Sequence, residues 1–124
     1  MNFSELKRQY PHIMRVKLWV YVPRSNVTEV REAIGFAGGG RIGNYSFCAF
    51  VTEGTGFFFP EESANPAVGE LGRLESVPEA KIEIEADLDC VEEVIQAIHK
   101  AHPYEEVPID IFPLFELDWF KKPG

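Results

Sequence analysis

A chain of 124 residues that is 45% hydrophobic, 13% aromatic and 26% charged has the makeup of one globular domain, a size that buries roughly two-thirds of the unfolded surface. Its formal net charge of −8, with Lys and Arg adjacent only at Lys7-Arg8 and Lys121-Lys122, argues against a nucleic-acid partner. No apolar run approaches the roughly 20 residues of a bilayer span and Met1 to Arg15 lack a signal-peptide core, so no membrane contact and a cytoplasmic location are expected. There Cys48 and Cys90, outside any recurrent metal spacing, are expected as reduced, packed thiols.

From Arg15 to Val22 the residues alternate, with Val16, Leu18, Val20 and Val22 on one face and Lys17, Trp19 and Tyr21 on the other. This period of two predicts a strand with two different faces. Pro23 ends it, and Asn26 with Glu29 reads as a capping box opening a helix with Val27, Val30, Ala33, Ile34 and Ala37 on its apolar side. Gly38, Gly39 and Gly40 stop that helix. A second strand is predicted over Tyr45 to Val51, then a hairpin with Gly54 and Gly56 punctuating the turn into Phe57-Phe58-Phe59-Pro60. Residues 61–70, with Ser63, Asn65, Pro66 and Gly69, read as a long loop.

Alternation returns at Lys81 to Ala86, and Asp89 with Glu92 reads as the cap of a second helix carrying Val91, Val94, Ile95, Ile98 and Ala101. Pro103 ends it, and Val107, Ile109 and Ile111 form the inward face of a last strand. The order βαββαβ predicts an α+β fold with a ferredoxin-like split βαβ core: a four-stranded antiparallel sheet, helices on one face, plus an inserted hairpin. One domain is expected over 1–124, with its core at about 15–115 and terminal extensions at 1–14 and 116–124. The uncovered sheet face carries Lys17, Trp19, Tyr21, Lys81, Glu83, Glu85, Asp110 and Phe112. Such a mixture of aromatics and opposite charges predicts self-association through the sheet. The competing arrangement folds Phe115, Leu117, Trp119 and Phe120 back over that face.

Three stretches taken together carry a resemblance: Ala37 to Cys48 (AGGGRIGNYSFC), then Gly54 to Pro60 (GTGFFFP) with Asn65 to Glu70 (NPAVGE), and His102-Pro103-Tyr104-Glu105-Glu106. In this order and spacing, from about Val16 to Leu114, they resemble the PII-like and CutA-like insert domain of the Nif-three-like proteins, also called the YqfO or GTP cyclohydrolase I type 2 homologue family. There the insert sits between two lobes that carry a dinuclear metal site. This chain has no room for those lobes, so the resemblance does not bring metal hydrolase activity with it. It implies a stand-alone version of the insert, a ferredoxin-like core and trimers formed through the sheets. The connection equivalent to Phe57-Phe58-Phe59 is a mobile partner-touching loop in PII-like proteins, whereas these aromatics predict a buried or interface hairpin.

Two segments are candidate sites. Gly38, Gly39, Gly40, Arg41, Gly43 and Tyr45 form a candidate ligand-binding loop in which backbone N–H groups cradle a small anion. The other reading is a glycine helix stop and a tight turn, since no helix N-terminus follows the glycines. His102, with His99 one turn earlier and Glu105 and Glu106 just beyond, is a candidate Zn²⁺ or Cu²⁺ site, making a divalent metal the candidate cofactor. The other reading has the histidines complementing the helix dipole, Pro103 ending the helix and Tyr104 capping the core. Cys90, in the first turn of a helix, gains thiolate stabilisation from the dipole.

No enzyme motif is present and no catalytic residue is assigned; only Glu105, Glu106, His102 and Tyr104 offer acid or base groups. The function expected is an oligomeric, trimeric PII-like or CutA-like binding module, sensor or regulator, for a small anion or metal. A protein–protein assembly partner and a metal-dependent hydrolase-related enzyme are the alternatives.

Overall fold

The structure, a computed structural model, describes residues 2–115 and Lys122. Leu117, Trp119 and Phe120, which the competing arrangement folds back over the sheet, lie outside them.

The first alternating segment becomes β1 (Ile13–Pro23), placed between β3 (Glu75–Asp87) and β4 (Ile109–Phe115), while β2 (Phe50–Phe58) pairs with the far edge of β3. The sheet order is β2-β3-β1-β4 and every pairing is antiparallel. Each α-helical crossover therefore skips one strand, which makes this the ferredoxin-like split βαβ fold. Register puts Leu18 opposite Ile84 and Val20 opposite Ile82. The even-numbered residues of both strands thus share one face. Against that face lie α2 (Val27–Phe36) and α3 (Val91–Ala101), which bury Val30, Ile34, Val91, Val94 and Ile98. Burying each such side chain contributes about 1.5–3 kcal/mol before entropy is counted.

The N-terminal segment, read from sequence as an extension, holds a further helix, α1 (Phe3–Gln9). Asn2 and Glu5 close a reciprocal capping box on it. Phe3 and Leu6 pack on the core, and Lys7 pairs with Asp89 just before α3.

The two predicted capping boxes do not form. A 3-10 turn (Arg24–Asn26) leads into α2, and Asn26 makes no side-chain cap bond. At α3 the cap position belongs to Cys90. Asp89 is drawn to Lys7 across 82 residues of sequence, and that partner is invisible to a local motif.

The second strand also differs from its expected limits. Tyr45 lies in a tight turn closed by reciprocal backbone bonds with Ile42, and β2 starts only at Phe50. It then runs unbroken through both glycines, with Gly54 opposite Glu79 and Gly56 opposite Val77. The hairpin is the β2–β3 pair itself, and its connection is 59–74 rather than a turn at Gly54 and Gly56. Gly56 marks a close approach: a side chain there would collide with the Glu79 carboxylate.

Candidate functional site

The glycine loop follows α2, and the amides of its first three glycines bond within the fold. The N–H of Gly38 donates to Gly35 O at 3.1 Å and that of Gly39 to Ile34 O at 2.9 Å, closing the helix end, while Gly40 N–H reaches Glu85 O at 2.7 Å. Gly40 has φ +80°, and a Cβ there would lie 2.5 Å from the Cys48 carbonyl oxygen. Only glycine satisfies both conditions. Arg15 anchors the loop from below, bonding Arg41 O at 2.8 Å and Asp87 at 2.6 Å. The side chains of Arg41 and Tyr45 project into solvent, as Gly43 does. Beside the loop a shallow recess of about 400 Å³ is lined by Ile42, Cys48, Phe50, Lys17 and Glu83.

The other segment behaves differently. His102 is the C-cap of α3 in extended conformation, because the following Pro103 disfavours helical backbone before it. Its ring therefore leaves the helix surface, where His99 stays exposed, and turns inward until only 6% of the residue is accessible. His102 Nε2 lies 2.7 Å from Tyr21 O, and Tyr104 N–H donates to Nδ1 at 3.1 Å. This pairing assigns the neutral tautomer with its proton on Nε2. Burial holds the imidazole pKa below its usual value, against the opposing pull of the Tyr21 carbonyl and Glu79. Both ring nitrogens are thus engaged. Among the described residues no group of three or more His, Cys, Asp or Glu is placed to hold a metal ion.

Beyond His102 the Tyr104 hydroxyl donates to Glu79 Oε2 at 2.6 Å. Burial first, then this carboxylate, drives the phenol pKa far above its normal range. Glu105 accepts the N–H of Asn65 at 2.9 Å, tying the 59–74 connection to the turn after α3. Between these segments opens a cleft of about 740 Å³. Tyr21, Phe57, Phe58, Phe59 and Tyr104 supply its aromatic walls. Glu61, Glu79, Glu105 and Glu106 supply its charged groups, and among the described residues no Lys, Arg or His lines it. The three phenylalanines, expected to be buried or in an interface, line this cleft, with Phe57 71% exposed. Their role had no local signal; it follows from the loop folding back toward Glu105.

The two candidate segments do not meet within one chain. One reaches β3 at Glu85 and the other at Glu79, six residues along the strand and so about 20 Å apart.

On the uncovered sheet face, Trp19 packs edge-on against Phe112 with ring centroids 4.7 Å apart, and the Lys81 ammonium lies 4.0 Å above the indole. Tyr21 donates to Asp110 at 3.3 Å. Among the described residues Trp19 Nε1 is buried without a hydrogen-bond partner. Both cysteines are free and partly buried. Burial raises the Cys90 thiol pKa, outweighing what the helix start adds. No described helix is long and apolar enough to cross a membrane.

No family model matches the chain. The GTP cyclohydrolase 1 type 2 homolog of Halalkalibacterium halodurans is 50% identical over 98 residues, covering 79% of this chain and 26% of that protein. Among solved structures, the Bacillus cereus protein related to NIF3 superimposes with a TM-score of 0.71 at 46% identity, over 82% of this chain and 26% of the other. The periplasmic divalent cation tolerance protein CutA of Archaeoglobus fulgidus shares the fold, with a TM-score of 0.62 at 15% identity over 86% and 91% of the two chains. The chain spans about a quarter of the length of the NIF3-related and GTP cyclohydrolase 1 type 2 homolog relatives. Sequence and fold together relate the chain to the part of those proteins, about a quarter of their length, that has the CutA fold.

Proposed function

We propose that the chain is a self-associating, ligand-binding regulatory module rather than a catalyst, assembling as a trimer through its uncovered sheet face. The observation that carries this reading is the state of that face. The Trp19 indole N–H is buried with no partner among the described residues, which costs roughly 1–3 kcal/mol if it stays unpaired. The aromatic pair Trp19 and Phe112 lies beside Lys17 and Lys81 and beside Glu83, Glu85 and Asp110, a mixture suited to contact with other copies of the chain. The CutA-like fold supports the same arrangement. Ligand recognition is proposed for the cleft beside His102, whose volume lies in the usual range for small-molecule sites.

Sedimentation equilibrium of the purified chain tests the assembly. Three times the mass of one chain is expected for the native protein. Trp19→Ala combined with Lys81→Glu is expected to sediment at the mass of one chain with unchanged far-ultraviolet circular dichroism. A native protein that stays monomeric at all concentrations overturns the reading.

A further inference from the structure

We propose that the cleft between the 59–74 connection and the His102–Pro108 turn takes a small organic cation, an amine or guanidinium carried on an apolar and preferably aromatic body. This rests on the reading of the chain as a ligand-binding module and names the chemical class of its ligand.

Charge complementarity commits the choice. Four carboxylates lie along the cleft and, among the described residues, no cationic side chain accompanies them, in a chain of net charge −8. A phosphate, nucleotide or carboxylate entering there meets repulsion with no donor fork to offset it. The acidic groups are not equivalent. Glu79 already accepts the Tyr104 hydroxyl and Glu105 the Asn65 amide, and each retains lone pairs for a further donor. Glu61 and Glu106 are exposed at the rim. An ammonium, with three donors and no demand for a closed coordination shell, suits such a dispersed set better than a bare metal ion.

The walls make the second half of the case. Phenylalanine and tyrosine faces attract a cation through their ring quadrupoles and give its apolar body a surface to bury against. The molecule already contains this contact: the Lys81 ammonium sits 4.0 Å over Trp19 on the sheet face that also carries Tyr21. Gly56 serves the arrangement, since its missing side chain leaves Glu79 room beside Tyr104.

Three probes with one phenyl body and different heads test the proposal by chemical-shift titration of the whole chain: phenethylamine, phenethyl alcohol and 3-phenylpropionate. The amine is expected to saturate, with shifts centred on Phe57, Phe58 and Tyr104, to bind about tenfold more tightly than the alcohol, and to weaken with added salt. The propionate is expected not to bind. Glu61→Gln with Glu106→Gln, both at exposed positions, is expected to reduce amine affinity by about tenfold and leave alcohol binding unchanged. Alcohol or propionate binding as tight as the amine's, or amine affinity unmoved in the double variant, overturns the cation preference while the cleft stands as a binding site. Binding of none of the three overturns the cleft as a site and the proposal with it.

Discussion

The glycine loop and the His102–Glu106 segment are two motif-like stretches at the ends of helices, yet they serve opposite ends. The start of the loop is closed: the Gly38, Gly39 and Gly40 amides cap α2 and reach Glu85, and Arg15 pins the loop to the sheet. The other segment is open: its polar bonds to Tyr21, Glu79 and Asn65 fix the positions of groups that line a cleft. A stretch rich in glycine or charge reveals its role only through what its backbone amides and side chains are already bonded to.

The strongest test of the closed loop is Gly40→Ala. The substitution meets both a left-handed backbone and a carbonyl oxygen at 2.5 Å, so a loss of roughly 2–4 kcal/mol is expected in denaturant titration. A loss below about 0.5 kcal/mol would mean the loop is loose and its amides are available, erasing the contrast between the two regions.

Next comes His102. Replacement by Ala strips partners from the Tyr21 carbonyl and the Tyr104 amide in a buried setting, with an expected cost of about 2–3 kcal/mol. The pH dependence sharpens the point. Burial depresses the folded pKa below 6.5, so in acid the unfolded chain binds a proton that the folded one refuses. This contribution is complete above about pH 6.5 and is lost as pH falls toward the folded value, with a slope of at most about 1.4 kcal/mol per pH unit. The His102→Ala variant is expected to lack that slope. An unchanged slope would show that the imidazole protonates in place.

The smallest effect is expected at the loop's exposed side chains. Arg41→Ala and Tyr45→Ala remove groups that project into solvent and should each shift stability by no more than about 0.5 kcal/mol. A larger loss would assign these side chains a structural duty that no described contact shows.

How much was legible follows the range of each interaction. The alternation in β1 and β3 and the helical period in α2 and α3 identified the core, since burial on one face needs nothing beyond the local pattern. Capping was less legible. The pairs Asn26 with Glu29 and Asp89 with Glu92 satisfy the same motif that Asn2 and Glu5 realise at α1, and a long-range partner in Lys7 decided the fate of Asp89. Gly54 and Gly56 carry a turn signal but lie in a continuous strand, because the register with β3 outweighs local preference.

By itself, then, the sequence determined the element order, the two-faced central strands and hence the split βαβ topology, all consequences of hydrophobic periodicity. The tertiary structure alone decided which polar groups remain free. It closed the glycine loop onto Glu85, turned His102 inward onto Tyr21, and brought residues 57–68 against Glu105 to form an acidic, aromatic cleft. Hydrogen-bond partners and cavity walls join residues far apart in the chain, and no local pattern encodes their meeting.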